Sequence, residues 1–486
     1  MQAKNLLVLM SDEHNPRMLG SARHPTVQTP NLDALAAAGT TFNTAYCNSP
    51  ICVPSRASFA TGRYVHEIGA WDNAAPFTGS AGASWGHRLL ENGHAVTTIG
   101  KLHYRNTADD IGFPDQRIPM HVMHGIGDVF GCIRANMPVT RHQLGHVDRA
   151  GDTDSEYIRY DSAIAAEAVR WLHSEAPTHD KPWCLFVSFT LPHFPFAAPE
   201  HHQRRYRLDD IDMPIAWSPD QWPAHPPLVD FRHARVQTAQ ETRSAHAIRR
   251  ARLVYYAMCS FVDELIGNLL GALSDAGLAD DTRIVYTSDH GETLGDYGLW
   301  GKSVMYDSAA GVPLILAGPD IPAGHLVECP VSLVDLAPTI MAGVGVEPAP
   351  EDADLPGDDL WSFAAGDAPA NRTVFSEYHA TGSGSAVYML RDLRWKYVHW
   401  VGHGPQLFDM QADPHELTNL ADRPAHQDRL SGFRRRLAAI CDPRATDAAA
   451  KTDQRRRIEA NGGDAAILAA GQQVKFTRAP EQFRLN

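Results

Sequence analysis

With 486 residues, 44% of them hydrophobic and 21% charged, alongside 37 glycines and 33 prolines, the chain can bury a sizeable core, which excludes wholesale disorder, collagen and coiled coil. Its 43 basic against 57 acidic side chains leave a formal charge of −14, so a surface built to neutralise nucleic-acid phosphates is not expected, and only a local basic pocket remains open. No stretch approaches the roughly 18 apolar residues of a membrane span, and a strand-like run starts at Asn5 without a signal-peptide layout, so the expectation is a cytoplasmic enzyme without membrane or nucleic-acid partners.

In chain order, residues 5–10 form a continuous apolar run that stops at Ser11-Asp12-Glu13-His14. Such a run predicts a strand buried on both faces, with acids at its carboxyl end. The pattern recurs where residues 183–189 lead into Leu191-Pro192-His193, and where residues 283–287 lead into Ser288-Asp289-His290-Gly291. Three such strands predict one parallel sheet with a site at its carboxyl edge. Helices are predicted at 155–176, with Tyr157, Ile164, Ala168 and Trp171 on one stripe, and at 250–276, with Val254, Met258, Val262, Leu265, Leu269 and Leu273. Alternating strands and helices define an α/β class with crossover connections.

Residues 218–244, rich in proline and polar side chains, read as a long surface insertion. A domain boundary is expected between 357 and 370, separating a catalytic domain, 1–366, from a C-terminal subdomain, 367–486. Short strands at 373–378, 386–391 and 395–401, then an amphipathic helix at 426–441, predict a small antiparallel sheet with a helix on it. A polar tail is expected from 452 to 486. In it Val474, Phe476, Phe483 and Leu485 are spaced among charges and point to a strap onto a neighbouring subunit, hence to a homo-oligomer. The glycine clusters at 125–131 and 382–384 lack the spacing or the following helix of a phosphate loop and read as loops. Seven widely spaced cysteines without a Cys-x-x-Cys pair indicate neither a disulfide framework nor a zinc ribbon.

The most specific segment is Cys52-Val53-Pro54-Ser55-Arg56, followed by Thr61-Gly62-Arg63. Pro54 and Ser55 suit a first helical turn, which places Cys52 just before a helix, at a solvent-reachable junction where free N–H groups favour an anion. A lone cysteine there reads either as a reactive thiolate or as packing. The whole segment resembles the signature of type I sulfatases in the alkaline phosphatase superfamily. The resemblance runs from Leu7 through Lys302 and into Asp413-Pro414-His415-Glu416-Leu417-Thr418-Asn419-Leu420, which is similar to sulfatase C-terminal subdomains.

That resemblance implies an alkaline-phosphatase-like fold, with a large mixed, mainly parallel sheet flanked by helices and a smaller C-terminal subdomain. It implies that Cys52 is converted to formylglycine by a formylglycine-generating enzyme that reads Cys52, Pro54 and Arg56. Asp12, Asp289 and His290 match the family's metal-ligand positions, with Cys52 as formylglycine adding an oxygen. Glu13 stands where Asp, Asn or Gln is usual, and it either reaches the metal or falls into the shell around it. The donor set suits one divalent ion, Mn²⁺ or Ca²⁺ with Mg²⁺ permitted. Lys101 and His103 resemble the Gly-Lys-x-His motif, and His193 and Lys302 match two sulfate-contacting positions. His14, His66 and His94 lack such support and read as structural or exposed.

The implied reaction is hydrolysis of a sulfate monoester through a formylglycine-sulfate intermediate. Arg56 and Lys101 would stabilise the nucleophile, Asp289 would assist its deprotonation, Lys302 and His193 would hold the ester, and His103 would act as the base that frees sulfate. Trp71-Asp72-Asn73-Ala74-Ala75 is similar to a segment of choline sulfatases, and Glu377 sits where that subgroup places a glutamate against the ammonium group, so Asn73 and Glu377 are candidate substrate contacts. Phe130, Arg134, Met137 and Arg141 occupy the middle region instead of further aromatics, and the two arginines favour a neutral or anionic leaving group. Resemblance to phosphonate monoester hydrolases keeps phosphonate monoesters and phosphodiesters open beside aryl, alkyl and choline-like sulfates. Two readings of other kinds stand beside these: a non-catalytic metal- and anion-binding relative, and a hydrolase using an unmodified Cys52 thiolate.

Overall fold

The computed structural model describes residues 2–135, 137–138, 146–235, 243–471 and 477–484. Its eight-stranded sheet is built from β1 (Asn5–Asp12), β2 (Thr40–Phe42), β3 (Val96–Lys101), β4 (Asp115–Met120), β5 (Cys184–Pro192), β6 (Thr282–Ser288), β7 (Leu314–Ala317) and β8 (His325–Val327). The order is β4-β3-β5-β1-β6-β7-β2-β8. The first five are mutually parallel, whereas β7 runs antiparallel to both β6 and β2.

The apolar run of β1 has a direct cause. Leu6, Val8 and Met10 enter one core and Leu7 and Leu9 the other, so neither face tolerates a polar side chain. On one face lie α1 (Cys52–Thr61), whose Ala57, Phe59 and Ala60 join the core, and α5 (Leu336–Val344). On the other lie α2 (Glu156–Ser174) and α4 (Ala245–Asp275), which bring Ile164, Ala168, Leu265 and Leu269 against Leu7 and Leu9. Serines cap both of these helices, Ser155 on the N–H of Ile158 and Ser244 on that of Ala247. α4 therefore starts five residues before the predicted 250. Contrary to the expectation that no stretch approaches a membrane span, α4 is long and apolar enough by length and composition, but 78% of that stretch is buried inside the fold, as in a core helix.

The C-terminal sheet is antiparallel, with β9 (Val374–Tyr378), β10 (Val387–Arg391), β11 (Trp395–Trp400) and β12 (Gln406–Asp409) in that order. α6 (Gln427–Ile440) lays Leu430, Phe433 and Leu437 on Phe375, Tyr388, Leu390 and Tyr397. Two expectations are corrected. The insertion at 218–244 contains α3 (Pro226–Ala234), which buries Leu228 and Phe231 in the large core and so is not merely surface. The polar tail is mostly helical: α7 (Pro443–Ala460) and α8 (Gly463–Ala470) occupy it, and residues 477–484 dock on the same chain, with Phe483 5.3 Å from the Tyr160 ring. Val474, Phe476 and Leu485 of the expected strap lie outside the described residues, as does Arg141.

The Asp-Pro-x-Glu-x-x-Asn-Leu pattern gains a physical reason. Lys396 of β11 is fully buried and donates to Asp307 Oδ1 at 2.8 Å and to Glu416 Oε1 at 2.7 Å, while Glu416 Oε2 accepts the Asp307 N–H at 2.8 Å. Asn419 Oδ1 accepts from the N–H groups of Leu407 and Ala421 and so fixes the loop that follows β12. Lys396→Ala leaves the buried Glu416 carboxylate without its cation and should cost about 3–5 kcal/mol, read as a lowered denaturant midpoint.

Candidate active site

The parallel pairings put three strand ends at one level, with Met10 opposite Ser188 and Ser11 opposite Ser288. Asp12 ends β1, Lys101 ends β3, and Asp289 and His290 follow β6. Cys52 is the first residue of α1, one position later than expected, and it is buried, with 2% of its surface exposed. No side chain of the N-cap residue Ile51 caps this helix, and the N–H of Val53 is met by Asn73 Oδ1 at 3.2 Å. Asn73 thus stands beside the Cys52 turn as a cap. At the other end Gly62 adopts φ 68°, the left-handed C-cap that the Thr-Gly-Arg triplet encodes.

Cys52 Sγ lies 3.2 Å from His290 Nε2 and 3.9 Å from Asp12 Oδ1, and Lys302 Nζ approaches it at 3.4 Å. One ligand atom from each of Asp12, Cys52, Asp289 and His290 falls within 4.8 Å of all the others, and all four residues are buried. Arg56 threads this cluster. It donates to Asp289 Oδ2 at 2.7 Å, to Asp12 Oδ2 at 3.3 Å, to the Lys101 carbonyl at 2.7 Å and to Ser188 Oγ at 2.9 Å. Lys101 donates to the same Asp12 oxygen. On the far side Glu13 Oε2 accepts from Lys302 at 2.8 Å and faces His193 Nε2 at 3.3 Å. Glu13 has φ 68°, a strained backbone for a non-glycine residue.

Burial by itself raises the Asp12 carboxyl, but Lys101, with His193, Arg56 and Lys302 behind it, outweighs that and holds it well below the usual carboxylate range. Burial pushes Glu13 well above its usual value, opposed by Lys302 and reinforced by Glu292. Burial, then the nearby Lys302 and Lys101 respectively, lowers His193 and His103 and favours their neutral rings. The Cys52 thiol is pushed up to about 12 by burial, with Asp12 adding to the rise. Cationic donors, the ionised Asp12 and neutral imidazoles therefore converge on one sulfur position. Such a site can hold a divalent cation and the oxygens of a tetrahedral anion together.

The family model described as Sulfatase matches residues 4–346, which contain every strand end just described. The chain belongs to the sulfatase family. It is a sulfuric ester hydrolase of the type I class, in the alkaline phosphatase superfamily. A second model, described as N-sulphoglucosamine sulphohydrolase, C-terminal, matches residues 295–442. A choline-sulfatase of Rhizobium meliloti (strain 1021) is 33% identical over 473 residues, covering 93% of this chain and 90% of that protein. Arylsulfatase K of Bos taurus is 31% identical over 445 residues, covering 86% and 78%. Among solved structures, a phosphonate monoester hydrolase from Silicibacter pomeroyi superposes with a TM-score of 0.72 at 26% identity, covering 90% of this chain and 95% of that one.

In this sulfatase the expected residues Asp12, Glu13, Cys52, Arg56, Lys101, His193, Asp289, His290 and Lys302 form one cluster. Glu377 does not join it. Its Oε1 accepts from the backbone N–H of His66 and sits 2.8 Å from His66 Nδ1, and its Oε2 sits 2.8 Å from His379 Nε2. Both oxygens are thus taken within a closed His-Glu-His group, so Glu377 is not presented to an ammonium group, contrary to expectation. Trp71 packs edge-on against His379 and gives its indole N–H to Asp453. Arg134 is buried against Asp447 at 3.0 Å and is not a free anion contact. His14 and His94 are structural, as expected: His14 lies 2.6 Å from the Tyr286 hydroxyl, and His94 lies 2.8 Å from the Pro182 carbonyl.

Sequence reasoning missed Ser188, Glu292 and Thr477. Ser188 lies inside the apolar run of β5, where a serine gives no signal. Glu292 carries one, three residues after Asp289 in the same polar strand end, and it accepts from the N–H groups of Leu294 and Gly301. Thr477 meets His103, its hydroxyl 2.7 Å from Nε2, from a segment with no readable periodicity.

Proposed function

We propose that the chain hydrolyses a sulfate monoester to an alcohol and inorganic sulfate, with Cys52 working as formylglycine beside one divalent ion. The observation that carries this reading is the position of Cys52 Sγ, at the centre of Asp12, His290, Asp289 and Lys302. The residues fit both groups. Asp12, Asp289 and His290 offer oxygen and nitrogen donors on one side of the cluster, and Arg56, Lys101 and Lys302 offer cations around them. A dication held by Asp12, Asp289 and His290 would add positive charge for an anionic ester and would lower the pKa of a coordinated hydroxyl. Formylglycine, when hydrated, supplies two hydroxyls on one carbon, one to attack sulfur and the other to let sulfate depart.

The chain's own residues do the rest. Arg56 holds Asp12 and Asp289 side by side by donating to a carboxylate oxygen of each. Lys302 and His193 hold the ester oxygens, with Lys302 also resting 5.3 Å over the Phe194 ring. Lys101 stabilises the ionised nucleophile, and His103 takes the proton that frees sulfate. Glu13, engaged by Lys302 and His193, orients them from outside the ion's immediate shell. A thiol pushed up to about 12 is protonated at neutral pH, which counts against an unmodified Cys52 nucleophile.

Maturation requires a formylglycine-generating enzyme. Peptide mass spectrometry on the segment holding Cys52 tests this first, since conversion exchanges a CH2SH group for CHO, and elemental analysis tests the ion. A bare cysteine in fully active protein, or activity unaffected by chelation with no stoichiometric metal, rejects the reading. Similarity to the Silicibacter pomeroyi enzyme favours a second substrate class, phosphonate monoesters, on the same site. Parallel kcat/KM values for an aryl sulfate and an aryl phosphonate rank the two.

Leaving-group dependence tests Lys302. Lys302→Ala should lower kcat/KM about tenfold more for an alkyl sulfate than for an activated aryl sulfate, because a basic alkoxide needs more help as it departs. Equal losses on both would assign Lys302 to uniform binding.

A further inference from the structure

We infer that Thr477, brought to the site by the C-terminal segment, is a positioning residue for His103: its hydroxyl accepts the Nε2–H of the ring and leaves Nδ1 as the basic nitrogen. The inference rests on the formylglycine reading above and deepens it by naming what orients the base. Thr477 Oγ1 lies 2.7 Å from His103 Nε2, and Nδ1, buried, has no hydrogen-bond partner among the described residues. An imidazole with one nitrogen held and the other unpartnered in a buried polar cluster matches the arrangement in which an outer acceptor selects the tautomer of a general base.

The segment that carries Thr477 is docked on the first turns of α2 by several independent contacts. The Tyr157 hydroxyl donates to the Thr477 carbonyl at 2.5 Å, and the Tyr157 ring stands edge-on to His193 at 6.0 Å, so one side chain bridges the segment and the sulfate-binding side of the site. Glu156 accepts from Arg478 Nε at 2.7 Å and from the Ala479 N–H at 3.1 Å. Ala479 is fully buried in the same core as Leu7 and Leu9, and Phe483 packs on Tyr160. Chain so anchored holds the threonine hydroxyl in place before substrate arrives, the condition for an orienting contact to act on rate.

In the step concerned, His103 Nδ1 takes the proton of the hydroxyl left on the Cys52-derived carbon. The O–H electron pair forms the carbonyl, the C–O bond to sulfate breaks with its pair on the departing sulfate, and the ring returns its proton to water. Removing the Thr477 hydroxyl lets the tautomer scramble without changing volume.

The test uses the full chain, with the Cys52 peptide mass recorded for each preparation. Thr477→Val should lower kcat about 10- to 100-fold with KM unchanged or lower, and Thr477→Ser should restore kcat to within about threefold of the parent. An independent readout is long-range ¹H–¹⁵N NMR of histidine-labelled, substrate-free protein, with His103 assigned by its loss in His103→Gln. The parent and Thr477→Ser should show protonated Nε2 and bare Nδ1, and Thr477→Val a mixture. Parent protein with protonated Nδ1, or Thr477→Val with parental kcat, overturns the inference. Protein lacking the aldehyde yet fully active, or His103→Gln with parental turnover, sinks the underlying reading instead, while the tautomer measurement still decides whether Thr477 orients the ring.

Discussion

Cys52→Ser protein, exposed once to an aryl sulfate, should release at most one equivalent of phenol and retain a stable sulfate ester on the introduced serine. A serine at the head of α1 is placed for attack, with Lys302 at 3.4 Å and His290 at 3.2 Å from the side-chain heteroatom it replaces. It carries one oxygen, so after accepting the sulfuryl group it has no second hydroxyl from which to form a carbonyl and expel sulfate. Intact-mass measurement after removal of substrate detects the adduct directly. Cys52→Ala should lose turnover by about 10⁴-fold or more while retaining the fold. The side chain is buried, so deleting its sulfur leaves a small void worth about 1 kcal/mol, far below what unfolding requires, and an unchanged denaturation profile within that margin separates lost chemistry from lost structure. Repeated turnover by the Cys52→Ser protein would reject formylglycine and move the reaction to attack by a metal-bound hydroxide.

Such a sharp expectation at Cys52 was legible because the site lies where local patterns are loud. Residues 6–10 are apolar at every position because β1 faces two cores, and Asp12 and Glu13, acids of the site, follow within three positions of the run's end. The same reasoning places Asp289 after β6 and His193 after β5. Residues that act through packing from elsewhere gave no such signal. α7 buries Asp447, Ala450, Gln454 and Ile458, a stripe so small and polar that it reads as a solvated tail. Its Gln454 nonetheless donates to Asp72 Oδ2 and to the His379 carbonyl, tying the tail to the Trp71–Asn73 segment. Thr477 is invisible for the same reason, since its contact with His103 spans 374 positions and depends on docking, not periodicity. Glu377 fails in the opposite direction. Its neighbourhood in sequence resembles a cation site, yet His66 and His379, whose spacing from it carries no pattern, close around the carboxylate and change its chemistry.

Asp289→Asn should remove stoichiometric metal and lower kcat/KM about 10³-fold or more, with the chain still folded. The asparagine is nearly the same size, so the argument is electrostatic and concerns two oxygens. Oδ2 accepts Arg56 Nε at 2.7 Å and Oδ1 accepts the Glu13 N–H at 3.1 Å. An amide keeps one acceptor and turns the other position into a donor, so either Arg56 or the Glu13 backbone then faces N–H against N–H, a conflict worth about 1–3 kcal/mol. The lost charge matters more. With Asp289 neutral, the acids left beside the ion are Asp12, already held by Lys101 and Arg56, and Glu13, engaged by Lys302. Removing the Asp289 charge leaves Arg56, Lys101 and Lys302 less balanced, so a dication is held more weakly. Elemental analysis of purified protein, followed by titration of Ca²⁺ and Mn²⁺ into the variant, measures this. Undiminished metal content would show that Asp12 and His290 suffice to hold the ion, and would reassign Asp289 to orienting Arg56.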